Sequence, residues 1–489
     1  MGASRDRLLL AAVIAAGAAL RFATLDLQSF GHDETVTAAR VIDPSFGETM
    51  REVESSERNP PLYYAVAWAW SRPFGTGEVG LRSLSALIGT LTVAAAYPLG
   101  RSLASPRVGL VLAALFAFNP LLIWYSQEAR SYGLAVLLVT VGLAFFASAL
   151  RSPTPRALAG WAAASALALG SHYFAAFVVA PQAAWLLLRA RPAPRAVGAV
   201  AAVAAVGLAL LALALAQQGD DRRDGFTERP VLERAAELGV SYAAGPEPRP
   251  LALDARVDVI QLGAAAVLLA LVALAAVLVL RRGTPEEHEA GMLCGLLTLA
   301  AAGVPIALAL GGVDLFNPRN ALVALVPLLA LVAVGGGGAR AGRAGVAVAA
   351  AGCLAFAGAS AAILVSDQMQ RPDWRGAAAA LGDPDGRRLI VGPQNGDDPL
   401  AYYTGAAKLH PRAASRPLRV RRIDVVSTDL PVNAHPGFEL ARETRRAPRF
   451  HVWTFTSPRS RAVRPDVAAE GILSERWTLL LDERERERE

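Results

Sequence analysis

The chain has 489 residues, 54% of them hydrophobic, a formal net charge of +6 and a mean hydropathy of +0.36. So apolar a composition at this length excludes an ordinary soluble protein and reads as a polytopic membrane protein. The positive charge is almost wholly arginine in short clusters between apolar runs, which suits topology determinants and excludes a nucleic-acid surface, so no nucleic-acid partner is expected.

Arg5 and Arg7 precede an apolar run from Leu8 to Phe22. A cleaved signal peptide would share that pattern, but the many spans that follow favour a retained first helix. The acidic pair Asp33 and Glu34, within Phe30-Gly31-His32-Asp33-Glu34-Thr35, then emerges on the face opposite the N-terminus. The rest of the first outer loop, to about Glu78, carries Glu52, Glu54 and Glu57, then Asn59-Pro60-Pro61-Leu62-Tyr63-Tyr64, Trp68 and Trp70. Prolines at a helix entry and aromatic residues that favour the headgroup level predict one or two interfacial helices here.

Further apolar runs begin near residues 79, 108, 133, 157, 174, 196, 257, 290, 321 and 344. With about eleven crossings, the basic clusters at Arg101, Arg151, Arg189 with Arg191, Arg281 and Arg340 all fall on the inner side, as the positive-inside rule requires. The outer turns are then Trp124 to Tyr132 (with Glu128 and Arg130), Ser171-His172-Tyr173, a polar loop from Gln217 to about Arg256 with a short helix near Val231, and Asp314 to Asn320. Gly335 to Gly338 lies at an inner helix end, where flexibility accounts for it. Cys294 and Cys353 sit inside apolar runs as small hydrophobes, without metal-ligand spacing.

Residues 1–365 thus form a transmembrane domain, and residues 366–489 a small extracytoplasmic α/β domain. In the latter, Pro372 to Leu381 reads as a helix closed by Gly382, Leu389 to Val391 as a strand, and Phe450 to Phe455 alternates with period two. The tail from Asp482 to Glu489 reads as solvated.

Carboxylates and arginines converging on one outer face suggest a site, because charge at membrane level is costly. A carboxylate can deprotonate a hydroxyl, and arginine binds phosphate in a bidentate way. Displacement of a lipid phosphate from a sugar suits that mixture, with Asp33 taking the acceptor proton and Arg130 or Arg319 stabilising the leaving phosphate. A single displacement inverts the anomeric centre. Plainer roles exist for each group. Asp33 and Glu34 could cap a helix, Glu128 with Arg130 could be a local ion pair, Tyr173 could belong to the interfacial belt, and Arg319 could anchor a helix end. Trp374 and Arg375 read as structural.

The ordered motifs Asp33-Glu34, Asn59-Pro60-Pro61-Leu62-Tyr63-Tyr64, Tyr125-Ser126-Gln127-Glu128-Ala129-Arg130-Ser131-Tyr132, Ser171-His172-Tyr173-Phe174 and Pro318-Arg319-Asn320 resemble the membrane glycosyltransferases of the GT-C fold. Within that fold they are most similar to protein mannosyltransferases and the aminoarabinose transferase of lipid A. Pro372-Asp373-Trp374-Arg375-Gly376 resembles the start of the extracytoplasmic tail in that group. Asn59 stands where relatives often have histidine, and Asn320 where tyrosine commonly follows arginine. The resemblance implies Asp33 as catalytic base with Glu34 as its partner. It implies Asn59, Tyr63, Glu128, Arg130, His172, Tyr173 and Arg319 as substrate-binding residues. The partners implied are a polyprenyl-phosphate sugar donor, an acceptor that is lipid, glycan or protein, and membrane lipids. A divalent cation (Mg or Mn) on Asp33, Glu34 and Glu128 is conceivable with hard oxygen ligands. The competing reading is a transporter or lipid flippase, which predicts ionisable residues deep within spans; a scaffold working through its exported tail is a third.

Overall fold

The computed structural model describes residues 2–189, 194–217, 229–246, 255–383, 386–427, 432–433, 435–446, 450–472 and 477–483. Arg191, much of the 217–256 loop and the charged tail after 483 lie outside these residues. Among the described residues, seven helices are long and apolar enough to cross a membrane: Glu78–Leu103, Tyr132–Arg151, Pro194–Ala216, Val259–Arg282, Pro285–Leu310, Pro318–Gly337 and Gly342–Val365. Two shorter apolar helices, Pro106–Phe118 and Tyr173–Leu188, join them. The positions expected for the first and fifth crossings are occupied by helices Gly2–Phe22 and Pro155–Ser171. The result is a polytopic α-helical membrane protein with a small C-terminal sheet domain.

Several helices start with the same local device. Ser105, Asn119, Thr154 and Thr284 each precede a proline, and each side-chain oxygen accepts a backbone N–H from the first turn. The proline fixes φ where no N–H is needed, and the cap satisfies an orphan donor. Asn119-Pro120 in this way breaks the expected third span at Phe118 and starts a separate helix, Pro120–Tyr125.

The chain packs as two units, Met1–Leu25 with Val41–Ile363, and Asp26–Arg40 with Leu364–Glu489. In the first, helix Pro318–Gly337 is central, with 83% of its apolar window buried, whereas Pro194–Ala216 is only 6% buried and presents Leu208, Leu211 and Leu215 outward. Apolar side chains on the outside of a helix bundle mark the lipid face. The Gly335–Gly338 run has a packing role in place of the expected flexibility. A Cβ at Gly335 would come 2.5 Å from the Cα of Ala275, and one at Gly337 would come 2.8 Å from the Cα of Val108, so only glycine lets these helices approach. The segment between the first two apolar helices holds helices Phe46–Ser56 and Leu62–Phe74, with Trp70 stacked on Phe74 and the Arg72 guanidinium over Trp68.

In the second unit, strands β1 (Arg388–Pro393), β2 (Ala407–Lys408), β3 (Leu418–Ser427), β4 (Glu439–Arg446), β5 (Phe450–Val463) and β6 (Trp477–Asp482) form one sheet in the order β2-β6-β1-β3-β5-β4. Among the described residues only β1 and β3 pair in parallel, with Ile390 opposite Asp424. Inside the sheet Arg388 reaches Asp482 at 2.9 Å and Asp424 at 3.3 Å, while Thr454 donates to Asp424 at 2.7 Å, so each buried charge has its partner. The expected helix near Pro372 runs Trp374–Leu381, is capped by Asp373 and ends at Gly382 with φ +63°.

Candidate active site

In the first unit the site is built on the segment Glu57-Arg58-Asn59-Pro60-Pro61, which leads into helix Leu62–Phe74. One helical turn in, the Tyr64 hydroxyl donates to Glu57 Oε2 at 2.5 Å. The turn before helix Tyr132–Arg151 brings Arg130 to the same carboxylate: Nη1 donates to Oε1 at 2.9 Å and Nη2 to Oε2 at 2.8 Å. The guanidinium also lies over the Tyr64 ring at 5.8 Å. Glu57 and Arg130 are both buried, so this is a desolvated bidentate pair that relies on its own geometry. Sequence reasoning missed Glu57 as Arg130's partner; the available signal was an acid seven residues before a tyrosine in a proline-shaped loop.

The turn itself is pinned. The Gln127 amide donates to the carbonyls of Leu20 and Arg21 and to Thr24 Oγ1, Ser85 donates to the Glu128 carbonyl, and Trp124 Nε1 donates to Glu128 Oε2 at 3.2 Å. Tyr63 is fully buried, its ring edge-on to Tyr64 at 5.5 Å. The Asn59 carbonyl and the Val53 carbonyl accept from Gln217 Nε2, and the Tyr173 hydroxyl donates to Gln217 Oε1 at 2.8 Å, so Asn59 and Tyr173 meet through Gln217.

His172 is 3% exposed, with its ring 5.3 Å from Tyr132 and 5.9 Å from Phe174. Its Nδ1 accepts the Phe174 N–H at 3.2 Å, which makes Nε2 the protonated nitrogen, and among the described residues Nε2 has no hydrogen-bond partner. Burial, then the charges of Arg130 and Arg319, push its pKa down to about 3; the nearby Asn320 side chain opposes this only partly and lies outside hydrogen-bond geometry. A neutral imidazole thus presents one buried N–H in the field of two arginines. Arg319 is exposed at the start of the 3₁₀ turn Pro318–Ala324, which Asn317 caps. Asp314, which the sequence placed among the converging acids, is taken by the fully buried Arg234, whose Nη1 donates to it at 3.0 Å. That hydrogen bond holds the Asp314 carboxyl below the usual range.

The second unit carries Asp33 and Glu34 in the first turn of the short helix His32–Val36. Glu34 is 1% exposed; its Oε2 accepts the Gly31 N–H at 3.0 Å and lies 4.0 Å from Arg371 Nε. Asp33 is half-buried, and its carbonyl accepts from Thr37 Oγ1. Among the described residues the group of three with metal-ligand spacing is His32, Asp397 and Asp398. Lys408 Nζ stands 3.0 Å from Asp397 and 2.5 Å from Asp398, so one ammonium bridges the two carboxylates and offsets half of their charge.

Residues 58–216 match the family model described as dolichyl-phosphate-mannose-protein mannosyltransferase. Among solved structures the chain is similar to ArnT from Cupriavidus metallidurans. The apo form matches at 13% identity and a TM-score of 0.55 over 93% of this chain and 98% of that one. The form bound to undecaprenyl phosphate matches at 13% identity and 0.54 over 91% and 97%. The fold is that of a GT-C membrane glycosyltransferase. No curated protein matches the chain. The GT-C fold and the family match therefore bear out the resemblance carried by the ordered motifs. The roles of the individual residues rest on the geometry of this chain.

Proposed function

We propose that this GT-C chain is an inverting glycosyltransferase, which moves a hexosyl or pentosyl group from a polyprenyl-phosphate-linked donor to an acceptor hydroxyl on the outer face of the cytoplasmic membrane. The acceptor is a lipid, a glycan or a protein. The observation that carries the reading is the surround of His172, which lies within the stretch matching the mannosyltransferase family: its buried Nε2 has no hydrogen-bond partner among the described residues and stands in the field of Arg130 and Arg319. A departing phosphate monoester of a lipid is the kind of group such a surround stabilises.

In this reading the acceptor oxygen attacks the anomeric carbon as the bond from that carbon to the phosphate oxygen breaks. The acceptor proton passes to the Asp33 carboxylate late in the step, when the sugar is oxocarbenium-like, and the polyprenyl phosphate leaves as the anion. Both terminal nitrogens of Arg130 are committed to Glu57, so Arg319 and the His172 N–H take the larger share of the leaving charge. Asp33 is the base by its likeness to the family's acidic position, and Glu34, whose Oε2 accepts the Gly31 N–H, caps the turn beside it.

Purified protein incubated with a panel of polyprenyl-phosphate sugars tests this. One sugar is expected to be consumed, with release of the lipid phosphate and inversion. Asp33→Asn is expected to lower turnover by roughly 10²- to 10⁴-fold; undiminished turnover in that variant removes the base. Chelation followed by adding back Mg or Mn tests for a divalent cation: turnover lost on chelation and restored by either ion assigns one, and unchanged turnover removes it.

A further inference from the structure

Helix His32–Val36 has five residues, too few to hold its own shape, since isolated helices of that length are unstable in water. What fixes the turn that carries Asp33 comes from a distant part of the chain. The Arg375 Nη2 donates to the Asp26 carbonyl at 2.8 Å, and the Arg371 N–H donates to Gln28 Oε1 at 2.7 Å. Ser29 Oγ donates to the Pro372 carbonyl at 3.0 Å and accepts the Trp374 N–H at 2.9 Å. Phe30, fully buried, gives its N–H to the Tyr403 hydroxyl oxygen at 2.7 Å and sets its ring edge-on to Tyr402 at 5.7 Å. Next to Asp33, Glu34 accepts the Gly31 N–H at 3.0 Å and lies 4.0 Å from Arg371.

We infer that the C-terminal sheet domain is a positioning element for the Asp33 turn, with Tyr403, Ser29 and Arg371 as positioning residues that hold the turn on which the carboxylate sits. The inference rests on Asp33 being the base. It gives the exported domain a part in the chemistry of every turnover: residues 371–403 act as a template on which a short, otherwise unstable turn is laid, and small displacements of that template reach the reacting carboxylate. A binding module for the acceptor would show the opposite kinetic signature, because it would change KM for the acceptor and leave the rate at saturation intact.

The test uses the full chain in detergent, with Tyr403→Phe, Ser29→Ala and Arg371→Gln, and Arg371→Lys as the conservative rescue. Hydrogen exchange of the 26–36 amides is expected to quicken in the first three variants while the helix Glu78–Leu103 keeps its protection. With the polyprenyl-phosphate sugar that the wild type consumes, kcat is expected to fall by about 10- to 100-fold, because a misplacement of about 1 Å costs that much. KM for that donor should stay within about twofold, as expected when an interaction acts only in the transition state, and Arg371→Lys should recover most of the rate. Unchanged exchange, a full kcat in Tyr403→Phe and Ser29→Ala, or a loss confined to KM each overturns the inference. Asp33→Asn separates it from the reading beneath: if that variant turns over like the wild type, the base assignment fails, whereas an inactive Asp33→Asn beside fully active Tyr403→Phe and Ser29→Ala sinks only the positioning role.

Discussion

The two units each contain a buried glutamate facing an arginine, and the two pairs are built differently. Glu57 and Arg130 meet through two parallel hydrogen bonds at 2.9 and 2.8 Å, with Tyr64 donating as a third group. Glu34 and Arg371 approach only to 4.0 Å, and the better bond of Glu34 is to the Gly31 N–H. The first is a strut: its charges are balanced within the pair and its geometry is closed. The second is a local cap with a cation at its back, beside a half-buried Asp33. Residues that look equally reactive in sequence therefore divide into a closed brace and a looser pair beside a half-buried carboxylate.

Breaking the strut should have the largest effect on stability. Glu57→Gln strands the Arg130 charge in a desolvated site, and removing one partner of a buried pair costs about 3–5 kcal/mol. Thermal unfolding in detergent measures this, and a loss under about 1 kcal/mol would mean that water reaches the pair and that the strut is no different from the looser pair.

His172 sharpens the contrast because it senses the Arg130 charge through space. Its pKa in the folded chain is pushed down to about 3, from an ordinary value near 6.5. Below pH 6.5 the unfolded chain binds a proton that the folded chain refuses, so this group leaves stability unchanged above that pH. As pH falls from there to about 3, it lowers stability by about 1.4 kcal/mol per unit. His172→Phe should flatten that slope in pH-dependent unfolding. An unchanged slope would show that the imidazole is protonated in the fold.

Much of the architecture was legible because membrane physics writes it plainly. Apolar length and the arginine clusters marked helices such as Tyr132–Arg151 and Pro155–Ser171 closely, whereas the Asn119-Pro120 start that splits the third span went unread. The site was legible only as a list of polar groups in outer turns. Beyond its local setting before Tyr64, nothing joined Glu57 to the terminal nitrogens of Arg130, since the two residues lie 73 positions apart. Asp314 looked like a member of the site until Arg234, inside a helix from Val231 to Ala244, claimed it. Asp26–Arg40 read as part of the membrane domain, because hydrogen bonds from residues 371–403 leave no periodicity in the first loop. Gly335–Gly338 read as flexible, although helix approach is what needs those glycines.

In the looser pair, Glu34→Gln keeps an oxygen able to accept the Gly31 N–H, so the cap survives and the expected cost is about 1 kcal/mol or less, while Glu34→Ala loses the cap and costs about 1–2 kcal/mol. Equal losses in the two variants, read by unfolding, would mean that the charge facing Arg371 matters more than the cap.

Tyr173 carries the smallest expected effect and asks on which side of the division it stands. Its hydroxyl donates to Gln217 Oε1, and Gln217 holds the Val53 and Asn59 carbonyls, so the bond braces the loop that ends in Pro60-Pro61. Tyr173→Phe removes one neutral hydrogen bond at a half-buried position, and Gln217 keeps its grip on the loop through its amide nitrogen. The expected loss is about 1 kcal/mol, with kcat/KM changed by less than about threefold. A structural bond and a substrate contact differ here in kinetics more than in stability: a fall of tenfold or more in kcat/KM at unchanged melting temperature would move Tyr173 from the brace to the donor pocket beside His172.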